Sequence, residues 1–556
     1  MLTDPRPLST LEWVLLTVAA AAFLLLATYR LSAPGLYADE LLFGPAALHA
    51  LGQCDVQGGV SFELGRCAPL YLEPKYLGAA KAWLYAPVFA LFDPSTTSVR
   101  LPAILVSLLG LALVLAWLRR EIGTAFAVVV VVVLALDPVY LVHSRVDWGP
   151  FVLGNLCKPG LLLTLACWRD EGSPRQLGLA FALALLGLYD KLNFVWIIVA
   201  YGASTLLCWP RASLTHLRAR PYSHAWIIGV FVGLMTLALS ELVLPAMELD
   251  FNTTPERLDL ELQSQVLVVY YNETFASSFV RSWITTDPVV VPAWPFRMLA
   301  GQFLLLLMFS IRRPWLDHGL SRAWRVLVFV SMAIALLLLQ MLFTRQLGGA
   351  HHLVALWPLP TVQLALLAWI GAQLPVSRAR RQRAALTATV LLAVAAVAAA
   401  VPRQADLLAT WRGEHGFSGR FDPGIVRLAE ALRDTDAQTI VAVDWGLHEP
   451  LVMLAQRGER WKYQSWWPVF TKPYAKAVGR NQWLRETYLD RGDSLWITFA
   501  PADDVFPEAR RRLPEFVREW GGCLRVERVV TRSDGSPLYQ VWRYRAATSC
   551  PVPELG

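Results

Sequence analysis

The chain has 556 residues, of which 55% are hydrophobic and only 17% charged. Apolar runs recur from residue 11 to about 401, which excludes an ordinary soluble protein and makes this a polytopic α-helical membrane protein. The formal charge of +7 does not point to nucleic acid, because Lys and Arg concentrate in short loops between apolar segments, the topological signal of a membrane protein.

The first predicted element runs from Leu11 to Tyr29 with Glu12 its only charge, long enough to cross a hydrocarbon core of about 30 Å. No signal-peptide cleavage pattern accompanies it, so it reads as an uncleaved first helix. Gly35-Leu36-Tyr37-Ala38-Asp39-Glu40 follows at once. An acidic pair at the exit of a membrane helix is costly unless it faces water, a cation or a substrate. Asp39 reads as a catalytic base, against the alternative of a cap for a short helix beginning near Leu41. Glu40 reads as orienting a Lys or Arg neighbour. Segment 30–99 is an unusually long loop with turn residues at Gly58-Gly59, Pro69, Pro74 and Asp93-Pro94, and is expected to fold as short helices against the membrane surface. Within it, 76–92 is apolar but holds Lys81 and Pro87, and is read as an amphipathic helix lying on the outer surface rather than a span.

Further spans are expected near 100–118, 122–142, 150–168, 176–189, 194–209, 225–244, 296–311, 324–343, 352–374 and 384–401, about eleven with the first. Loops after the even-numbered spans carry the arginines: Arg119 and Arg120, Arg169 and Arg175, Arg211 to Arg220, Arg312 to Arg325, and Arg378 to Arg383. The positive-inside rule makes these loops and the N-terminus cytoplasmic, and places Asp39 and the C-terminal part of the chain on the outer face.

A second acid, Asp147, ends the third span in His143-Ser144-Arg145-Val146-Asp147-Trp148-Gly149-Pro150, also on the outer face. It could hold the acceptor or a metal, pair with Arg145, or cap the fourth helix before Pro150. Helical spacing aligns Asp147, Asn155 and Lys158, and a lysine that far into a span needs a polar cavity or a partner unless it snorkels. Lys191 sits at an outer helix turn in Tyr189-Asp190-Lys191-Leu192-Asn193, where an exposed Asp-Lys pair is the alternative. His351 and His352 open the tenth span, with an exposed interfacial pair as the alternative. The second large outer loop, 245–295, holds Asp250, Glu256, Asp259, Glu261, Tyr270, Tyr271 and Trp294. Cys54 with Cys67, and Cys523 with Cys550, fall in external segments and suggest two disulfides in an oxidising compartment, four unpaired thiols being the alternative. No spacing supports a structural zinc site.

Residues 402–556 are charged throughout and form a separate soluble unit after the 1–401 membrane domain. Thr439–Asp444 and Ser494–Phe499 read as buried strands, Glu508–Trp520 as an amphipathic helix and Val526–Tyr544 as a hairpin turning at Asp534-Gly535, together a small α/β domain. Asp444-Trp445-Gly446, Trp461, Trp466 and Trp467 read as core, with a sugar-stacking surface as the alternative.

The ordered constellation of Asp39-Glu40 after the first helix, Tyr71-Leu72-Glu73-Pro74-Lys75, Val99-Arg100-Leu101-Pro102 at the second span and Asp147 after the third resembles the GT-C glycosyltransferases. Within that fold it is most similar to the protein O-mannosyltransferase and aminoarabinose-transferase superfamily. The resemblance covers roughly residues 10–210, and 296–401 by hydropathy alone. It departs from the aminoarabinose transferases in reading Glu73-Pro74-Lys75 where they carry Glu-Lys-Pro. The resemblance implies transfer of a sugar from a polyprenyl-phosphate donor to a glycan, lipid or protein acceptor on the outer face, without a cofactor; the Ala-, Leu- and Arg-heavy composition points to a bacterial inner membrane. A divalent metal stays open, since oligosaccharyltransferases of the same fold use one. In that setting Asp39 is the base and Asp147 a second functional acid. Glu40, Lys75, Arg145, Lys158, Lys191, His351 and His352 are the candidates for holding substrate, the cations against the lipid phosphate. A transporter or flippase of a lipid-linked glycan is the competing reading, but it calls for internal repeats with interrupted helices, and none is evident.

Overall fold

The computed structural model describes residues 6–53, 60–65, 67–72, 77–148, 151–238, 259–311, 318–344, 349–374, 380–455, 462–466, 494–519 and 522–546. Helix α1, Thr10–Thr28, starts at a capping box: Glu12 N–H donates to Ser9 Oγ at 3.4 Å, and Ser9 N–H donates to the Glu12 carboxylate at 2.9 Å. The only charge read in the first span is therefore part of its cap.

Each segment expected to span falls mostly on helix where it is described. By length and composition five described helices could cross a membrane, and eight if each of three bent pairs is one span. The expected 122–142 span is one such pair. Helices α6, Thr124–Ala135, and α7, Pro138–Arg145, meet at 63° because Pro138 has no N–H to continue the first helix and Asp137 caps the second through Val139 N at 3.1 Å. The tenth expected span is bent by 43° between a 3₁₀ stretch, Ala350–Leu356, and helix Leu359–Gly371. Helix Arg381–Arg412 is continuous through position 401, its Ala-rich run keeping it helical past the change in composition.

Helix α5, Thr96–Glu121, has 26 residues and is about 39 Å long. Its two ends differ in chemistry. At the Glu121 end lies an ion-pair network: Arg169 to Glu121 at 2.8 Å, Arg120 to Asp170 at 3.1 Å and Arg322 to Asp170 at 3.1 Å. At the other end the first loop folds as helices α2, Ala38–Leu41, and α3, Gly44–Ala50, an antiparallel hairpin β1, Val60–Leu64, with β2, Ala68–Leu72, and helix α4, Ala80–Leu91. The hairpin was not expected. With 12 residues α4 is about 18 Å long, short of a hydrocarbon core of about 30 Å. It has two faces, as an amphipathic helix should: Trp83, Leu84 and Leu91 are exposed, while Lys81, Tyr85 and Phe89 are buried against the protein.

The C-terminal region is a five-stranded sheet in the order β4-β3-β5-β7-β6. Strands β3, Thr439–Ala442, and β5, Ser494–Phe499, are parallel and buried throughout; β4 is Lys462–Ser465, and β6, Gly522–Thr531, with β7, Pro537–Ala546, forms the expected hairpin. Trp466 is core, as expected, 4.8 Å from the Trp496 ring centroid. This sheet and the first loop share one hydrophobic core, in which Leu41, Phe43 and Phe89 lie with Leu428, Leu451 and Met453. Contact is close enough to demand glycine: a Cβ on Gly44 would strike the Met453 side chain, and one on Gly35 the carbonyl of Asp422. Cys67 and Cys523 are disulfide-bonded, while Cys54 and Cys550, their expected partners, lie outside the described residues.

Candidate active site

Three acids converge at the loop end of α5, in three different states. Glu40 is fully buried, its carboxylate 2.7 and 3.3 Å from the Arg100 guanidinium. Arg100 also donates to the carbonyls of Leu31, Pro34 and Gly35 at 2.7–3.0 Å, so the pair folds the chain that leaves α1 back onto α5. Asp147 is 3% exposed and pairs with Lys81 at 2.5 Å. Its Oδ1 accepts from Phe151 N at 2.5 Å and Val152 N at 2.9 Å, capping helix α8, Val152–Glu171, so the expected cap exists and the partner is Lys81 rather than Arg145. Asp39 is partly open, and among the described residues it has no ion pair and one hydrogen bond, from the Tyr37 hydroxyl at 3.1 Å. Burial pushes its carboxyl up to about 6; the Tyr37 bond and the charges of Lys191 and Arg420 pull against this, and Glu449 adds to it.

The cations sort just as clearly. Lys191 is 5% exposed at the turn after helix α9, Pro174–Asp190, with Nζ 4.5 Å from the Phe151 ring centroid. Burial brings its ammonium down to about 8, against the pull of Asp39, Asp147 and Asp190. The alternative of an exposed Asp-Lys pair is excluded, since Asp190 is 2% exposed. Lys191 lines a small cavity of about 10 Å³, room for a single water, with Phe151, Lys158, Asp190 and Asn193. Lys158 is buried and donates to the Val354 carbonyl at 2.8 Å. His352 Nδ1 is 3.0 Å from Asn193 Nδ2, and the His351 and His352 rings are 4.2 Å apart, each 6.0 Å from Phe151. His351 is 8% exposed, so the pair is not simply interfacial.

Arg145 is placed differently. It is fully buried, donates to the carbonyls of Tyr29, Arg30 and Ala33, and stacks on Trp411 at 4.1 Å. Its two terminal nitrogens hold the end of α1, while Nε is buried and has no hydrogen-bond partner among the described residues. Lys75, with Glu73 and Pro74, lies outside the described residues, as do Asp250, Glu256, Trp461 and Trp467.

Two groups escaped the sequence reading. Lys81 gave a signal, a lone charge in an apolar segment, but only its helix was placed and no partner was named for it. Arg420 gave none. It sits in a 3₁₀ turn, Gly419–Phe421, at the head of the C-terminal region, and its charge acts on Asp39. Trp445, expected in the core, is partly open beside it, with 5.6 Å between the guanidinium carbon and the ring centroid.

Residues 79–247 match the profile of the dolichyl-phosphate-mannose-protein mannosyltransferase family, in agreement with the resemblance to GT-C glycosyltransferases. Among solved structures the fold is similar to the archaeal oligosaccharyltransferase AglB from Archaeoglobus fulgidus in complex with an inhibitory peptide and a dolichol-phosphate, at 12% identity and a TM-score of 0.47 over 98% of this chain and 75% of that one. The apo form of the Archaeoglobus fulgidus oligosaccharyltransferase is similar at 11% identity and a TM-score of 0.49, with the same coverage. No curated protein matches the chain.

Proposed function

We propose that this chain transfers a glycosyl unit from a polyprenyl-phosphate donor to an acceptor hydroxyl at the outer face of the membrane, by a single inverting displacement with Asp39 as general base. The contrast among the three acids carries this reading. Glu40 and Asp147 are each bound to a buried cation, and Asp39 alone keeps a partly open carboxylate whose pKa of about 6 suits a base at neutral pH. As the acceptor oxygen attacks the anomeric carbon, its proton passes to Asp39. The bond from that carbon to the phosphate oxygen breaks, and polyprenyl phosphate leaves with the electron pair. Lys191, whose charge acts on Asp39, offsets the charge of the departing phosphate, with His352 held near it by Asn193. Asp147 with Lys81 and Glu40 with Arg100 act as positioning pairs.

The outer side is favoured because the arginine-rich network lies at the far end of α5 from the site, and because disulfide-bonded Cys67 and Cys523 fit an oxidising compartment. The test is full-length protein in nanodiscs incubated with polyprenyl-phosphate sugar. Consumption of the donor with release of polyprenyl phosphate supports transfer; donor that crosses the bilayer intact identifies a flippase instead.

Activity is expected to follow a bell with limbs near pH 6 and pH 8. Asp39 works only when deprotonated, so rate rises with pH through its pKa; Lys191 works only when charged, so rate falls as it deprotonates. The two charges interact, and the limbs belong to the pair. Lys191→Arg should move the alkaline limb upward, because a guanidinium stays protonated; an unmoved limb would exclude Lys191 as its source. Transfer should also survive chelation, because the cations beside Asp39 are an ammonium and a guanidinium; full loss with EDTA and recovery with a divalent ion would overturn that.

A further inference from the structure

We infer that the acceptor is an anionic saccharide, its acidic group held by Arg420 and its ring laid against Trp283 and Trp445. This deepens the transferase reading and rests on it for the word acceptor, though the anion subsite stands on its own geometry.

Arg420 is fixed in place from three sides. In its turn Ser418 N donates to the Ile284 carbonyl at 2.9 Å, the Phe421 carbonyl accepts from Gly35 N at 2.6 Å, and the Gly419 carbonyl accepts from the Tyr539 hydroxyl at 3.2 Å. The guanidinium carbon then lies 5.2–5.9 Å from the centroids of Tyr37, Trp283, Phe421 and Trp445. Aromatic faces attract a cation and hold its plane, but they leave its N–H donors unused. Among the described residues Arg420 makes no ion pair and no side-chain hydrogen bond. A planar fork held still with its donors free is built to receive a carboxylate or a phosphate.

Exposure shows where such a group enters. Tyr37 and Phe421 are buried, whereas Asp39, Arg420 and the two indoles beside Arg420, Trp283 and Trp445, remain partly open. Asp39 thus stands between two cations of different origin. Lys191 belongs to the helical bundle and Arg420 to the C-terminal region, and the charges of both act on Asp39. With Lys191 facing the donor phosphate, a neutral acceptor would leave Arg420 without an anion. An acidic saccharide supplies one, and the indole faces suit the apolar face of a sugar ring.

The test is equilibrium binding to full-length protein in nanodiscs of four probes: methyl glucoside, methyl glucuronide, methyl glucoside 6-phosphate and polyprenyl phosphate. Wild type should prefer one or both acidic sugars to the neutral one by about 10- to 100-fold, the range for a charge-assisted contact. Which acidic sugar wins separates a carboxylate from a phosphate. Arg420→Gln should abolish the preference while leaving methyl glucoside and polyprenyl phosphate binding unchanged, and Arg420→Lys should restore part of it. Equal binding of all three sugars by wild type overturns the inference, as does a loss confined to polyprenyl phosphate in Arg420→Gln. The transferase reading fails separately, if wild type ignores polyprenyl phosphate while the Arg420-dependent preference persists.

Discussion

Asp39→Asn lowers turnover by about 10²–10⁴-fold, the usual contribution of a positioned base, and leaves donor affinity and folding close to wild type. Asparagine is the same size and can still accept from the Tyr37 hydroxyl, so what it removes is the ability to take the acceptor proton. Side-by-side measurement of donor binding and single-turnover transfer decides the matter. A fully active Asp39→Asn enzyme would end the assignment and move attention to Glu40 and then Asp147, even though both are bound to cations.

Lys81→Met destabilises the protein by about 3–5 kcal/mol, because it strands the Asp147 charge in a site where both partners are 3% exposed. The ammonium also lies 4.0 Å from the Phe43 ring centroid and 3.4 Å from the Glu40 carbonyl, so the same change loosens the packing of α4 on the first loop. Thermal unfolding in detergent reads the effect. Adding Asp147→Asn to Lys81→Met should recover much of the loss, because the uncompensated charge is then gone. Simple additivity of the two changes would show that the pair is not coupled.

The acids were legible in the sequence because their location is costly: a carboxylate at the end of an apolar helix needs a reason, and Asp39, Glu40 and Asp147 all proved to be in special environments. The bends were half legible. Asp137-Pro138 is a clear start signal for a helix, but the apolar run through it reads as one span. The burial of Lys81 was not legible because its partner is Asp147, and no local pattern in an amphipathic segment tells a surface lysine from one paired across the fold. Arg420 lay beyond sequence reasoning for the same cause. Its role depends on rings from Tyr37, Trp283 and Trp445, hundreds of residues apart, and on a sheet packed over the loop. Periodicity reports which face of an element is apolar and says little about what covers it.

The core shared by the first loop and the sheet also sets an order of events during synthesis. Asp39 and Lys81 leave the ribosome hundreds of residues before Arg420, Leu451 and Met453, so the loop has to wait, with Leu41, Phe43 and Phe89 uncovered, until the end of the chain arrives. Such long-range closure is slow, and it leaves an apolar surface open to wrong partners in the meantime. The candidate site around Asp39 is therefore the last part of the molecule to mature, and a nascent chain stalled before the sheet is made carries Asp39 without Arg420 and Trp445.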